Sequence, residues 1–329
     1  MEILIIKIRN IGDVAISTCM LNYIECIYPN AKVTFLTGKK SKDLLKFSKI
    51  IKNLILVDEE KIFRFLPSIF EIFKIWKFLK FFKKYDFILT CHRDYRYLLF
   101  SLFLKGLKKK LPNIKSTNNK NLCFEHHLLF PNRKLSKFPP TISTFENISK
   151  RFSNYFNNNF KKIVIAPGKH SYNKNSFGKN RTWPKKNYEE LIEKLLKKNY
   201  QIIVTGIEND NILLKKYNDK NFINLIGKTS IENLIYIYKN VDLVITHDSG
   251  SFNIANLVET KVIGLFGPTD PNFINFEKFS KNIIWGGENL ACSPCYNGKR
   301  YKTCDNNLCL KKITPNDVIK NVAKYFRND

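Results

Sequence analysis

Residues Val241–Pro271 read VDLVITHDSGSFNIANLVETKVIGLFGPTDP, and this stretch decides the fold. Val241–Thr246 is an apolar, β-branched run suited to a buried strand. His247-Asp248-Ser249-Gly250-Ser251 is a tight polar turn, and a helix is expected from about Phe252 to Leu257. A second apolar strand, Lys261–Phe266, and a Gly-Pro loop follow. Strand, turn, helix and strand in so short a span point to a parallel α/β sheet. A strand that ends in Asp-Ser-Gly and opens a helix also outlines an anion site. Glycine lets a ligand approach the backbone closely, and the free N–H groups of the first helical turn point at it.

The same alternation extends in both directions. Glu2–Ile8 (EILIIKI) is an apolar strand, Arg9–Asp13 a loop, Val14–Ile27 a helix by its spacing, and Lys32–Leu36 the next strand. Short strands are expected at Leu54–Val57 and Asp86–Cys91. A second series starts with strand Lys162–Ala166. It continues with helix Asn187–Lys198, strand Gln201–Thr205, a helix near Asp210–Tyr217, strand Phe222–Leu225 and helix Ile231–Lys239. The tail Thr314–Phe326 reads as a final helix, with Thr314 as N-cap, Pro315 at the first helical position and Asp317 in the first turn. Thr144–Phe160 is rich in Asn and Ser and carries no strand pattern, so the interdomain linker is expected there. A chain of 329 residues suits two domains, taken as 1–150 and 151–329. Two such domains imply a cleft, with ligands beyond the carboxyl ends of the strands.

The formal charge is +28, with 44% hydrophobic residues. Such a charge draws polyanions: nucleic acid, anionic membrane or phosphorylated substrates. Lys, Asn and Ile are abundant throughout, as a coding bias produces, so about half the excess Lys is read as having no specific role. Lys61–Tyr85 places Lys74, Lys77, Lys80 and Lys83 among Phe, Ile and Trp. That stretch is either a sheet-covering helix with snorkelling lysines or a basic-aromatic helix at a membrane interface. Lys105–Lys110 and Lys115 look loop-like. No secretory signal or run of ~18 apolar residues is visible, so an intracellular protein is expected. Its eight cysteines should then be thiols or metal ligands. Cys292-x-x-Cys295 with Cys304-x4-Cys309 has spacing compatible with structural zinc or with a local structural loop.

Several residues could carry chemistry. Asp13, after Gly12 at a helix start, is either an N-cap or a carboxylate that accepts a proton from an attacking hydroxyl. Arg181 closes the polar loop that begins at Pro167-Gly168, and its forked donor suits phosphate; Ser176 could add a hydroxyl to the same group. Trp183 beside it reads as core. Glu208, after Thr205-Gly206, could meet ribose hydroxyls, and Thr229 lies in the turn Gly227-Lys228-Thr229-Ser230. Arg93 and Arg96, after the Asp86–Cys91 strand, could hold acidic groups of an acceptor or be solvated surface arginines. Arg9 and Gly12 join them on the acceptor side.

Taken in order, Gly12-Asp13, Pro167-Gly168, Arg181-Thr182-Trp183-Pro184, Gly206, Gly227-Lys228-Thr229-Ser230, Asp248-Ser249-Gly250, Phe266-Gly267-Pro268-Thr269-Asp270-Pro271 and Cys292-Ser293-Pro294-Cys295 resemble glycosyltransferase family 9, the ADP-heptose:lipopolysaccharide heptosyltransferases. The resemblance runs nearly the whole length of the chain. It implies a GT-B fold, an α/β architecture of two Rossmann-like domains facing a central cleft, with the acceptor in the first and the nucleotide sugar in the second. It also implies an inverting, metal-independent transfer without a cofactor. Asp13 falls on the family's general base, Arg181 on a basic diphosphate contact that is usually Lys, and Ser176 on a nearby hydroxyl. Asp248, Ser249, Gly250 and Ser251 fall on the donor-binding turn. Where the family usually has His, three residues past the Gly, this chain has Asn253.

The residue chemistry fits this class independently. Glycosyl transfer needs a base for the acceptor hydroxyl and charge stabilisation for the departing diphosphate. No metal-binding Asp-x-Asp motif is present, so stabilisation falls to Arg181, Ser176 and the helix start at Ser249–Ser251, each donor contributing about 2–4 kcal/mol. The expected partners are an ADP-sugar, a lipid-linked or oligosaccharide acceptor, and the anionic cytoplasmic face of the inner membrane. The competing readings are a GT-B transferase with another nucleotide sugar, a catalytically silent relative, and a polyanion-binding protein. No nucleic-acid motif supports the last, and its basic residues are diffuse.

Overall fold

A computed structural model describes residues 1–63, 69–80, 82–94, 96–111, 129, 142, 151–156, 159–167, 182–213, 217–273, 283–295, 304 and 306–327. The chain divides into two compact units, Met1–Asn147 and Ile148–Asp329. Most of the expected linker lies outside the described residues; within it Ser153–Tyr155 is a single 3-10 turn.

The first unit contains β1 (Glu2–Ile6), α1 (Ile11–Ser17), α2 (Cys19–Ile27), β2 (Lys32–Gly38), β3 (Ile51–Val57), α3 (Ile69–Phe78), β4 (Lys84–Thr90) and β5 (Lys105–Lys110). The strands form one parallel sheet in the order β3-β2-β1-β4-β5. Leu4, Ile6, Leu36 and Ile88 pack there against Ile72, Ile75, Leu79 and Tyr97. Two expectations change. The single helix Val14–Ile27 breaks at Thr18, where the Ser17 and Thr18 hydroxyls each donate 2.7 Å bonds to the carbonyls of Val14 and Ala15. Side chains that bond the preceding turn in this way bend helices. Lys105–Lys110 is an edge strand, not a loop, paired in parallel with β4. Its lysines read as loop because an edge strand is solvated, and charge there discourages further strand pairing.

The second unit contains β6 (Lys162–Ala166), α4 (Lys185–Leu196), β7 (Gln201–Val204), β8 (Phe222–Asn224), α5 (Ile231–Lys239), β9 (Leu243–His247), α6 (Gly250–Leu257), β10 (Val262–Phe266), β11 (Ile283–Trp285) and α7 (Pro315–Arg327). All its strands are parallel, in the order β11-β10-β9-β6-β7-β8. The helix α6 starts two residues before the expected Phe252. The helix expected near Asp210–Tyr217 is a 3-10 segment, Glu208–Leu213, turned by the Asp210 carboxylate accepting from the Ile207 N–H at 2.8 Å. The tail cap holds as expected: Thr314 Oγ1 accepts from Asp317 N–H, and Thr314 N–H donates back to the Asp317 carboxylate. A second box, Ser230 with Asn233, starts α5.

Chain order reverses beside the first strand of each sheet, between β1 and β4 and between β6 and β9. Helices diverge at such a point, and ligands bind beyond the carboxyl ends of the strands on either side of it. The candidate residues that are described sit around these points in both units.

Candidate functional site

In the first unit, β1 runs straight into Lys7, whose side chain is buried and whose ammonium lies 3.1 Å from Asp13 Oδ2. Asn10 Nδ2 donates to the same oxygen at 3.4 Å. Asn10 holds φ at 61°, a left-handed value that Asn tolerates better than most residues, and occupies the N-cap position of α1. Asp13 is therefore not the cap. It is the third residue of α1, in the first turn, with 39% of its side chain exposed. Both contacts fall on Oδ2 and leave Oδ1 open.

Across the reversal, His92 follows β4. Burial, aided by Lys7, lowers its imidazole to about 4 against the opposing pull of Asp13 and Asp94. It is neutral at pH 7. Its Nδ1 accepts from the Asp94 N–H at 3.0 Å, which places the proton on Nε2. His92 can donate a hydrogen bond from Nε2 but has no free lone pair to accept one. Arg9 and Arg96 lie over one ring, Phe63, at 4.8 and 5.1 Å. The Tyr97 hydroxyl accepts from the Arg9 N–H at 3.1 Å, and the Tyr97 ring stacks on His92 at 4.3 Å. Arg96 grips Asp94 in a forked ion pair that holds that carboxyl below the usual carboxylate range. The fold thus gathers Arg9, Gly12, Asp13 and Arg96 around the ends of β1 and β4, with Arg93 in the loop that follows β4. Sequence reasoning missed Lys7, His92 and Phe63; only the lysine in an otherwise apolar strand gave a signal.

In the second unit, the Thr246 hydroxyl donates to Ala166 O at 2.8 Å, joining the ends of β9 and β6. His247 is buried, with Nδ1 2.6 Å from Pro167 O and Nε2 3.0 Å from the Tyr188 hydroxyl. A carbonyl only accepts, so Nδ1 carries the proton and Nε2 accepts from Tyr188. His247 is thus a strut beneath the turn. Asp248 is buried, and its Oδ2 accepts from the Thr269 hydroxyl at 2.6 Å. This bond explains why Asp-Ser-Gly and Phe-Gly-Pro-Thr-Asp-Pro occur together: the second motif supplies the hydroxyl that orients the carboxylate of the first. Thr269→Val should cost about 1.5–3 kcal/mol of stability through loss of one charge-assisted bond to a buried carboxylate. An unchanged thermal midpoint by calorimetry would show that Asp248 holds its orientation without it.

Ser249 is the N-cap of α6 but makes no side-chain cap; its hydroxyl lies 3.3 Å from that of Thr246. Gly250 and Ser251 therefore present first-turn N–H groups. Ser251 bonds the buried Tyr238 hydroxyl, which also reaches Thr205 at the end of β7. Asn253 is buried, and its Oδ1 has no partner among the described residues. Glu208 lies past β7, its carboxylate against Gly227, where an added Cβ would fall 1.9 Å from Oε2. Gly227 has φ +73°, a backbone conformation that favours glycine. Thr229 lies two residues on. Ser176 and Arg181 lie outside the described residues.

The cysteines buttress this site. Cys295 N–H donates to Pro268 O at 2.8 Å, and Cys309 Sγ is 3.0 Å from where a Cβ on Gly267 would sit. Burial, with smaller contributions from the neighbouring Cys295, Cys304 and Cys292, pushes the Cys309 thiol up to about 11. Among the described residues no group of three or more His, Cys, Asp or Glu is arranged to hold a metal ion.

A family profile described as glycosyltransferase family 9 (heptosyltransferase) matches residues 130–304. Lipooligosaccharide heptosyltransferase 2 of Campylobacter jejuni subsp. jejuni serotype O:2 is 33% identical over 125 residues, 35% of this chain and 35% of that protein. The matched stretch thus spans about a third of the curated relative's length. Among solved structures, E. coli ADP-heptose lps heptosyltransferase II superposes with a TM-score of 0.74 at 18% identity, over 100% of this chain and 99% of that one. The E. coli heptosyltransferase WaaC with ADP gives 0.71 at 16% identity, over 99% and 100%. At such identities the likeness is one of fold: the GT-B class, built from two Rossmann-like units.

Proposed function

Because this chain belongs to glycosyltransferase family 9, the heptosyltransferase family, we propose that it moves a heptose from ADP-heptose to a lipopolysaccharide-core or related surface-glycan acceptor, with inversion and without a metal. The observation that carries this reading is the pair of strand-end sites. One presents a carboxylate with an open oxygen, Asp13; the other presents the Asp248-Ser249-Gly250 turn at the start of a helix.

In this mechanism Asp13 Oδ1 takes the proton of the acceptor hydroxyl as its oxygen bonds the anomeric carbon. The bond from that carbon to the diphosphate oxygen breaks on the opposite face, and ADP leaves with the electron pair. The α6 N–H groups, Arg181 and Ser176 stabilise the charge that develops on the diphosphate. Glu208 and Thr229 hold the nucleoside, Asp248 the sugar. Arg9, Gly12, Arg93 and Arg96 meet the acceptor, whose anionic groups suit a guanidinium fork. The enzyme works at the cytoplasmic face of the inner membrane, where a lipid-linked acceptor is found.

Asn253 favours one second reading, another nucleotide sugar, since its buried amide, with Oδ1 unpaired among the described residues, cannot take the positive charge that the family's usual imidazole can. One screen separates the two. With ADP, UDP, GDP and CMP each offered at one common concentration, a nucleotide present at about 100 times its Kd adds about 2.7 kcal/mol of stability. The thermal midpoint should rise with ADP. A rise with UDP or GDP alone would replace the donor, and no rise with any of the four would remove the nucleotide reading.

A further inference from the structure

The helix α3 is apolar on both sides. Ile72 and Ile75 point inward and, with Leu79 just beyond the helix, pack into the core of the first unit. A surface helix normally turns a polar face to water. Here the outer face carries Phe70, Phe73, Lys74 and Lys77, flanked by Phe78, with Phe70 81%, Phe73 54% and Phe78 64% exposed. The face continues beyond the helix. Phe82, 62% exposed, lies 6.2 Å from the Phe103 ring, which meets Trp76 edge-on at 4.6 Å. Trp76 Nε1 donates to Leu99 O at 2.8 Å, joining α3 to the segment that carries the exposed Leu98, Leu99 and Leu102. Two stretches of chain, Phe70–Phe82 and Leu98–Phe103, therefore meet in one apolar surface.

Its charges have one sign. The acid of α3, Glu71, turns to Lys74 at 3.1 Å. Lys77, Lys80 and Lys84 are exposed and form no ion pair among the described residues. Lys83 is set aside, because it already pairs with Glu2 and covers Tyr85. So are the β5 lysines, which protect a sheet edge.

We propose that this face docks on an anionic bilayer, with Phe70, Phe73, Phe78 and Phe82 at the boundary between headgroups and acyl chains and Lys77, Lys80 and Lys84 among the lipid phosphates. Charge complementarity selects this occupant. Protein–protein interface cores are depleted in Lys, whereas rings interleaved with Lys suit the headgroup layer. No helix among the described residues is long and apolar enough to cross a membrane, so docking is peripheral. The proposal rests on the reading that the acceptor is lipid-linked and names the surface that brings the chain to it.

The test is flotation with vesicles containing phosphatidylglycerol against vesicles of phosphatidylcholine alone, without nucleotide. The full chain should float with the anionic vesicles and be released by about 0.5 M salt, at which the Debye length falls well below 10 Å. Lys77→Ser/Lys80→Ser should weaken binding about fivefold per lysine. Phe70→Ser/Phe73→Ser should abolish flotation with the thermal midpoint unchanged, since both rings are exposed. Lys197→Ser/Lys198→Ser in the second unit is the control and should bind as the parent does. Failure of the parent to bind, or undiminished binding of the Phe variant, overturns the proposal. A parent that self-associates in the absence of lipid, and a Phe variant that does not, would overturn it in favour of a second copy. The nucleotide screen uses no lipid, so failure of the donor reading is seen separately.

Discussion

Asp13→Ala is expected to lower kcat by about 10²–10⁴-fold, the range for loss of a positioned general base. ADP affinity should stay within about twofold, because Asp13 belongs to the first unit and the nucleotide reading places ADP on the second. The carboxylate is anchored at Oδ2 by Lys7 and Asn10 and open at Oδ1. His92 beside it is neutral with its acceptor nitrogen occupied and offers no substitute. Asp13→Asn keeps the shape and loses the base, so it should be as slow as alanine. Lys7→Met should fall between these variants and the parent, since it removes the anchor but leaves the oxygen that accepts the proton. A purified Asp13→Ala protein whose single-turnover rate stays near the parent's would reduce Asp13 to a structural partner of Lys7.

The second large effect is on stability. Trp183→Ala should cost about 3–5 kcal/mol, as is typical for a large aromatic removed from a core. The indole is fully buried, crosses the Tyr188 ring at 5.1 Å and 87°, and donates from Nε1 to Ile313 O at 2.9 Å. Asn307 Nδ2 donates to Thr182 O beside it at 2.8 Å. Together these bonds tie the start of α4 to the tail. For a unit of this size the loss lowers the thermal midpoint by roughly 6–20 °C. Trp183→Phe should cost less, about 0.5–1.5 kcal/mol for the lost bond, because Asn187 Nδ2 still donates to the Ile313 carbonyl at 3.4 Å. The alanine change should also weaken nucleotide binding. Tyr188 leans on Trp183 and holds His247, the strut under the Asp248 turn. A drop of less than about 2 °C in a calorimetric scan would mean that the site collapses around the smaller side chain at little cost.

These cases show what could be read before folding. The strand–helix alternation, the paired parallel sheets and the Asp248-Ser249-Gly250 turn were legible because each depends on residues within a few positions of one another. Trp183 was legible as core from its chemistry. The break at Thr18 and the 3-10 turn at Glu208–Leu213 were not, because single hydroxyl or carboxylate bonds to nearby backbone outweighed the periodicity. The strand Lys105–Lys110 was missed because lysines at a solvated edge leave no alternation to read.

The sequence by itself determined the class of the protein and the positions most worth testing, Asp13 and the Asp248 turn among them. Tertiary structure decided how those groups are held. Lys7 meets Asp13 because β1 ends beneath α1; Arg9 and Arg96 share one ring; Thr269 reaches Asp248 across 21 residues of chain; Trp183 reaches Ile313 across 130. It also turned a blurred lysine–phenylalanine repeat into a surface, by committing Ile72, Ile75 and Leu79 to the core and leaving the rings outside. Periodicity reports which residues share a face of one element. Which groups meet across elements depends on how the sheets are ordered, and that order is set by burial of the whole chain.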